Sequence, residues 1–292
     1  MPTCNKNNVI RRIMKKVVGL VVILFTAAFL PAVSANEKPA IAIIDTAIDT
    51  TKVSVLHEVC LMEEKRCPNK QSYMEGPGAA HMPASGGFEH GTQMVQIAQA
   101  INPNMNIVFI RIYPDNRGRI MKNAANVNST VRQALEWVAK NKTKFNIVAV
   151  SASVGETRFA TRGHYCPVNP ALRSAIVNLQ NLGVASIFAA GNRYDYLRVD
   201  YPACITESVA VSSVGVRGNV ERYANRSAEV DFFALGTINE STGTSAATSA
   251  LAAYWAKNYK GNFSDTYNYF KSIAKTASTE GFETNLFVDI NS

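Results

Sequence analysis

Short unbroken apolar runs alternate along this chain with segments whose apolar residues recur at helical spacing, and that alternation narrows the available folds more than any other feature. Runs of the first kind stand at 40–44 (AIAII), 106–113 (NIVFIRIY), 146–153 (NIVAVSAS), 184–192 (VASIFAAGN), 208–215 (SVAVSSVG) and 229–236 (EVDFFALG). Segments of the second kind stand at 90–101, 128–141, 169–183, 245–257 and 264–277. The segment 128–141 opens on capping residues, and 169–183 carries Pro170 near its start and Gly183 at its end. A strand buried on both faces reads as a continuous apolar run, because neither side meets water. Such strands joined through helices form right-handed βαβ units. The sequence therefore predicts an α/β fold, a mostly parallel central sheet with helices on both faces. Segment 68–89, rich in Gly, Pro, Ala and Ser, reads as an irregular surface loop.

Residues 1–35 read as a secretory signal peptide. Lys6, Arg11, Arg12, Lys15 and Lys16 form its basic start, Val17 to Leu30 its apolar run, and PAVSA its small-residue cleavage pattern. The apolar run is short for a membrane span. Residues 36–292 are then expected as a single exported domain, periplasmic or extracellular, with no stable span after cleavage. The formal net charge of +8 falls to near +3 without those five cations. That is an ordinary surface and gives no electrostatic footprint for nucleic acid. Cys60, Cys67, Cys166 and Cys204 remain in the mature part. An even number in an oxidising compartment predicts two disulfides. Four cysteines allow three pairings, and proximity along the chain favours Cys60–Cys67 and Cys166–Cys204.

In a sheet of this kind function gathers at the carboxyl ends of strands. Asp45 follows the first run, Ser153 ends the third, and Gly191 and Asn192 close the fourth, after its apolar part 184–189. His90 and Ser245 each open a helix. Ser245 sits in GTINESTGTSAATSALAAYWA, where small residues surround it. Small residues this dense are a poor way to build a core, and a lone serine in such a run is usually a helix N-cap.

Taken together, IAIIDT, HGT, AAGN and GTSAAT, in that order, resemble the motifs of the subtilisin-like serine proteases, whose triad runs Asp, His, Ser. The resemblance extends through 40–257. It implies a subtilisin-like fold and hydrolysis of peptide bonds in peptide or protein substrates. Asp45 would orient His90, His90 would act as the base, Ser245 as the nucleophile and Asn192 as an oxyanion donor. It also implies an extended substrate lying between Ser153-Val154-Gly155 and Asn116-Arg117-Gly118. Arg117, Arg119 and Arg193 fall in or beside these subsites. They read either as a source of preference for acidic residues or as solvated surface arginines.

The motifs depart from the family pattern at Ala47 (usually Gly), Gln93 (usually His), Ala246 (usually Met) and Ser249 (usually Pro). Asp45 lies ten residues after the expected cleavage point, so no pro-segment is expected. That motivates a folding or activating partner protein. It also motivates an alternative reading, a protease-like domain kept as a partner-regulated or non-catalytic binding module. No redox or organic cofactor is expected. A zinc site at His57, Cys60, Cys67 and His81 fits no usual ligand spacing. Structural calcium is the ion the resemblance allows, with Asp49, Asp115, Asp195 and Asp200 equally readable as surface residues. An α/β-hydrolase would need G-x-S-x-G and the order Ser, acid, His, and this chain has neither.

Overall fold

The computed structural model describes residues 38–82, 89–116, 119–120, 126–156, 166, 168–279 and 281–290. The expected signal peptide, Arg117 and Gly118 lie outside them. In chain order the elements are β1 (Ala40–Asp45), β2 (His57–Leu61), β3 (Tyr73–Glu75), α1 (Glu89–Ile101), β4 (Asn106–Arg111), β5 (Asp115–Asn116), β6 (Arg119–Ile120), α2 (Arg132–Phe145), β7 (Ile147–Ala152), α3 (Pro170–Asn181) and β8 (Ala185–Ala189). There follow β9 (Val209–Val214), β10 (Phe232–Leu235), β11 (Thr237–Ile238), β12 (Ser241–Thr242), α4 (Thr244–Lys257), α5 (Phe263–Ile273), β13 (Lys275–Thr279) and β14 (Phe282–Phe287).

Ten strands make one sheet in the order β13-β14-β10-β9-β8-β7-β1-β4-β2-β3. The pairings from β14 to β2 are parallel. Only the outermost strands, β3 and β13, run antiparallel to their neighbours. Side chains alternate across the sheet, as the two-residue period of a strand requires. Ala40, Ala42 and Ile44 of β1 join one core, while Ile41 and Ile43 join the other. On the first face lie α2 and α3, through Leu135, Val138, Leu172 and Ile176. On the second lie α1, α4 and α5, through Val95, Ile97, Leu251, Trp255 and Phe270.

The helix α4 differs from the others in kind. Thr244 and every residue from Ala246 to Ala256 are buried. A helix apolar all round belongs in a core, and its alanines let it lie close beneath the sheet. Ser249 fits there because its hydroxyl donates to the Met94 carbonyl of α1 at 2.7 Å. A buried hydroxyl without such a partner would be costly. Ala47 is also fully buried, and its φ is not positive, so the methyl group carries no backbone strain.

Several boundaries differ from the sequence reading. The loop expected over 68–89 contains β3, which adds an edge to β2. The helix expected over 128–141 begins with a π-helical turn at Val127–Val131 and continues to Phe145, where Asn146 takes the left-handed conformation. The helix expected over 264–277 stops at Ile273. Ala274 turns extended there, and Lys275–Thr279 pairs with β14 instead. Strand 229–236 starts only at Phe232.

Cys60 bonds Cys67 across 7 residues and Cys166 bonds Cys204 across 38. Closing the longer loop removes more freedom from the unfolded chain, about 4 kcal/mol against about 2 kcal/mol in the loop-closure treatment. Cys166→Ala with Cys204→Ala should therefore lower the unfolding free energy by about 4 kcal/mol, measured by urea denaturation. A loss below about 1 kcal/mol would show that the unfolded chain is already restricted there.

Candidate active site

Five distant segments converge on one cleft of about 480 Å³. Its walls include Asp45 and Thr46 at the end of β1, His90 in the first turn of α1, and Ser153 to Gly155 beyond β7. Gly191, Asn192 and Arg193 beyond β8 join them, with Thr244 and Ser245 at the start of α4. All but the two helix starts lie past the carboxyl ends of parallel strands, where the fold leaves a crevice.

The Asp45 side chain is only 2% exposed. Its Oδ1 accepts from the Thr46 N–H at 2.7 Å and faces His90 Nδ1 at 2.8 Å. The carboxylate's charge raises the His90 pKa above its ordinary value, against the downward push of burial. His90 Nε2 is left on the side of the ring away from Asp45.

Ser245 is the one half-exposed residue in the first three turns of α4. Gly243 precedes the helix at φ 145°, a conformation that favours glycine. In the first turn, the Thr244 N–H donates to Asn192 Oδ1, and the Ala246 and Ala247 N–H groups donate to the Gly243 carbonyl. Among the described residues the Ser245 N–H has no acceptor, so one free donor points out of a helix N-terminus.

Asn192 is fixed through its oxygen. Oδ1 accepts from the Thr244 N–H at 2.9 Å and from the Thr244 hydroxyl at 3.0 Å. That assigns Nδ2 to the cleft, where no described residue accepts from it. Thr244 Oγ1 also accepts from the Gly191 N–H at 3.2 Å. Buried Asn225 braces the same loop: its Nδ2 donates to the Ala190 carbonyl at 2.9 Å, and its Oδ1 accepts from the Arg193 N–H at 2.9 Å.

The subsite residues divide. Ser153, Val154, Gly155 and Arg193 line the cleft. Asn116 lies in the short β5–β6 ladder. Arg193 is not a free cation, since its Nε and Nη2 meet Asp200 Oδ1 and Oδ2 at 3.1 and 3.0 Å. Asp200, read from sequence as a surface or calcium-binding carboxylate, is 8% exposed. Desolvation raises its pKa, partly offset by Arg193. Thr244, Tyr113, Asp200 and Asn225 were missed in the sequence. For Thr244 the signal was its place beside Ser245 in GTS, whereas the others leave no local signature.

The described calcium candidates do not assemble a site. Asp49 accepts from Thr51, Asp195 from Leu197 and Arg198, and Asp200 from Arg193. No described group of three such ligands converges. Cys60 and Cys67 are bonded to each other, and His57 meets Glu75 at 2.8 Å, so the four residues weighed for zinc do not form a ligand set.

A family model described as the subtilase family matches residues 36–287. Comparison with curated proteins gives no match. Among solved structures, a cold-adapted subtilisin-like serine proteinase shares 22% identity at a TM-score of 0.58, over 81% of this chain and 82% of that one. A lanthipeptide protease shares 17% at 0.62, over 86% and 85%. A protease from Pseudoalteromonas arctica shares 15% at 0.67, over 88% of each. At these identities the likeness concerns the fold.

Asp45→Asn removes the charge that raises the His90 pKa. The His90 ring resonances should titrate above pH 6.5 in the wild type and lower in the variant, measured by NMR. The stability sign follows. A folded-state pKa above the unfolded one stabilises fully below the unfolded value, and the gain is lost as pH rises through the folded value. The wild type's advantage over Asp45→Asn should be larger at about pH 5 than at about pH 9.

Proposed function

The chain belongs to the subtilase family, and on that premise we propose that it is an exported serine endopeptidase working through an acyl-enzyme on Ser245. The observation that carries the reading is the meeting of Asp45, His90, Asn192 and Ser245 in one cleft. Asp45 holds His90 through Nδ1, which leaves Nε2 to take the Ser245 proton. Ser245 Oγ then attacks the peptide carbonyl carbon. The charge that develops on the carbonyl oxygen meets two preset donors, Asn192 Nδ2 and the Ser245 N–H. Because Thr244 already holds Asn192, no reorganisation is needed when the charge appears. His90 returns its proton to the leaving amine, the acyl group stays on Ser245, and water repeats the sequence to release the acid.

The reaction as written uses protein groups and water, with no redox or organic cofactor. Export rests on the leader-like composition of residues 1–35 and is supported by two disulfides, which persist in oxidising compartments. No described helix is long and apolar enough to cross a membrane.

A fluorophosphonate probe should label the folded wild-type protein at Ser245 and leave Ser245→Ala unlabelled. No labelling of a demonstrably folded wild type would overturn the reading in favour of a binding module. Asn192→Ala should lower kcat on the order of 10²–10³, the range for loss of one oxyanion donor in a related protease. Thr244 acts through Asn192 as a positioning residue. Thr244→Val should lower kcat by roughly 3- to 10-fold with KM unchanged, as for one lost neutral hydrogen bond, and Thr244→Ser should restore it.

A further inference from the structure

Beside the nucleophile, the cleft ends on an ion pair. Ser153–Gly155 and Gly191–Arg193 leave the adjacent parallel strands β7 and β8 as two facing walls, and Asp200 lies between them. Its N–H donates to the Ala190 carbonyl at 2.8 Å, which anchors it to the second wall. The carboxylate fits only because both walls carry glycine. A Cβ on Gly155 would lie 2.9 Å from Asp200 Oδ2, and one on Gly191 would lie 2.4 Å from it. Arg193 closes on this carboxylate with two parallel contacts, the strong form of an Arg–carboxylate pair. The partners are unequal in exposure, with 44% of the Arg193 side chain open to solvent against 8% of Asp200.

We propose that Arg193 is a resident counterion for Asp200, and that the neutral pair sets specificity by admitting small uncharged side chains at the residue whose carbonyl Ser245 attacks. This rests on the protease reading above. The proposal seats the side chain on the acyl side of the bond against these walls, which line the same cleft as Asn192 and Ser245. A long apolar side chain would have to strip water from a charged pair, which is costly. An acidic side chain meets the carboxylate at close range, while the guanidinium that would welcome it is already engaged. A basic side chain finds its natural partner occupied.

The pair also conceals a second specificity. Without Arg193, a buried carboxylate stands without its cation, a condition that strongly favours any group able to supply one. A lysine on the substrate would do so.

The test uses peptidyl diphenyl phosphonates identical except for a terminal residue of Ala, Phe, Lys or Glu, each reacting at Ser245. In the wild type the Ala reagent should react fastest. In Arg193→Gln the Lys-to-Ala ratio should rise on the order of 10-fold. In Asp200→Asn the Glu-to-Ala ratio should rise instead. Thermal unfolding monitors the fold of each variant. Arg193→Gln alters the more exposed partner, so it tests the idea even where Asp200→Asn fails to fold. An unchanged order in folded Arg193→Gln, or a wild type fastest with Phe, Lys or Glu, overturns the inference while leaving the protease reading intact. Absence of any labelling in the wild type, with fluorophosphonate included, removes both.

Discussion

Everything at the cleft is set by one helix that has no solvent-facing side along most of its length. The helix α4 is buried from Ala246 to Ala256, so its position is fixed by packing rather than by its own propensity. Each residue proposed as catalytic is then referred to it. Ser249 ties it to the helix carrying His90, through the Met94 carbonyl, and Asn102 reaches the Ala253 carbonyl at 3.4 Å. Thr244 ties it to the loop carrying Asn192 and Gly191. A shift of α4 would move serine, histidine and asparagine together. On the proposed reading the small residues around Ser245 serve two ends, close packing below and close approach of substrate above.

Two carboxylates line the cleft, each held by a nitrogen-bearing side chain, and the two pairs differ in chemistry. Asp45 and His90 form a pair whose charge can change, because imidazole titrates near neutrality and its tautomer is set by the carboxylate. Asp200 and Arg193 form a pair whose charge cannot change in the same way, since guanidinium stays protonated. The first is suited to moving a proton and the second to shaping a pocket. Asp45 is the last residue of β1, and Arg193 and Asp200 lie beyond β8.

Much of this was legible in the sequence. The buried strands announced themselves because burial on both faces leaves an unbroken apolar run, as in AIAII and NIVAV. The positions of Asp45, His90, Asn192 and Ser245 at strand and helix ends were readable for the same reason. The outer strands were not. HEVCL of β2 carries Glu58, which looks like a surface residue until its carboxylate is seen to accept the Ala80 N–H at 2.9 Å. The β13–β14 hairpin has an alternating, half-exposed pattern, and the helical spacing of α5 ran on into it. Arg193 read as a potential acid-binding group because Asp200, seven residues later, gave no hint of folding back onto it. Pairings that depend on a loop's path leave no periodic trace.

The most direct test of the central claim is a crystal structure of the wild-type protein after reaction with a peptidyl phosphonate. The account predicts a covalent bond to Ser245 Oγ, with the phosphonyl oxygen within hydrogen-bond distance of both Asn192 Nδ2 and the Ser245 N–H. An adduct on another residue, or an oxygen turned away from Asn192 with Thr244 still holding its side chain, would contradict it.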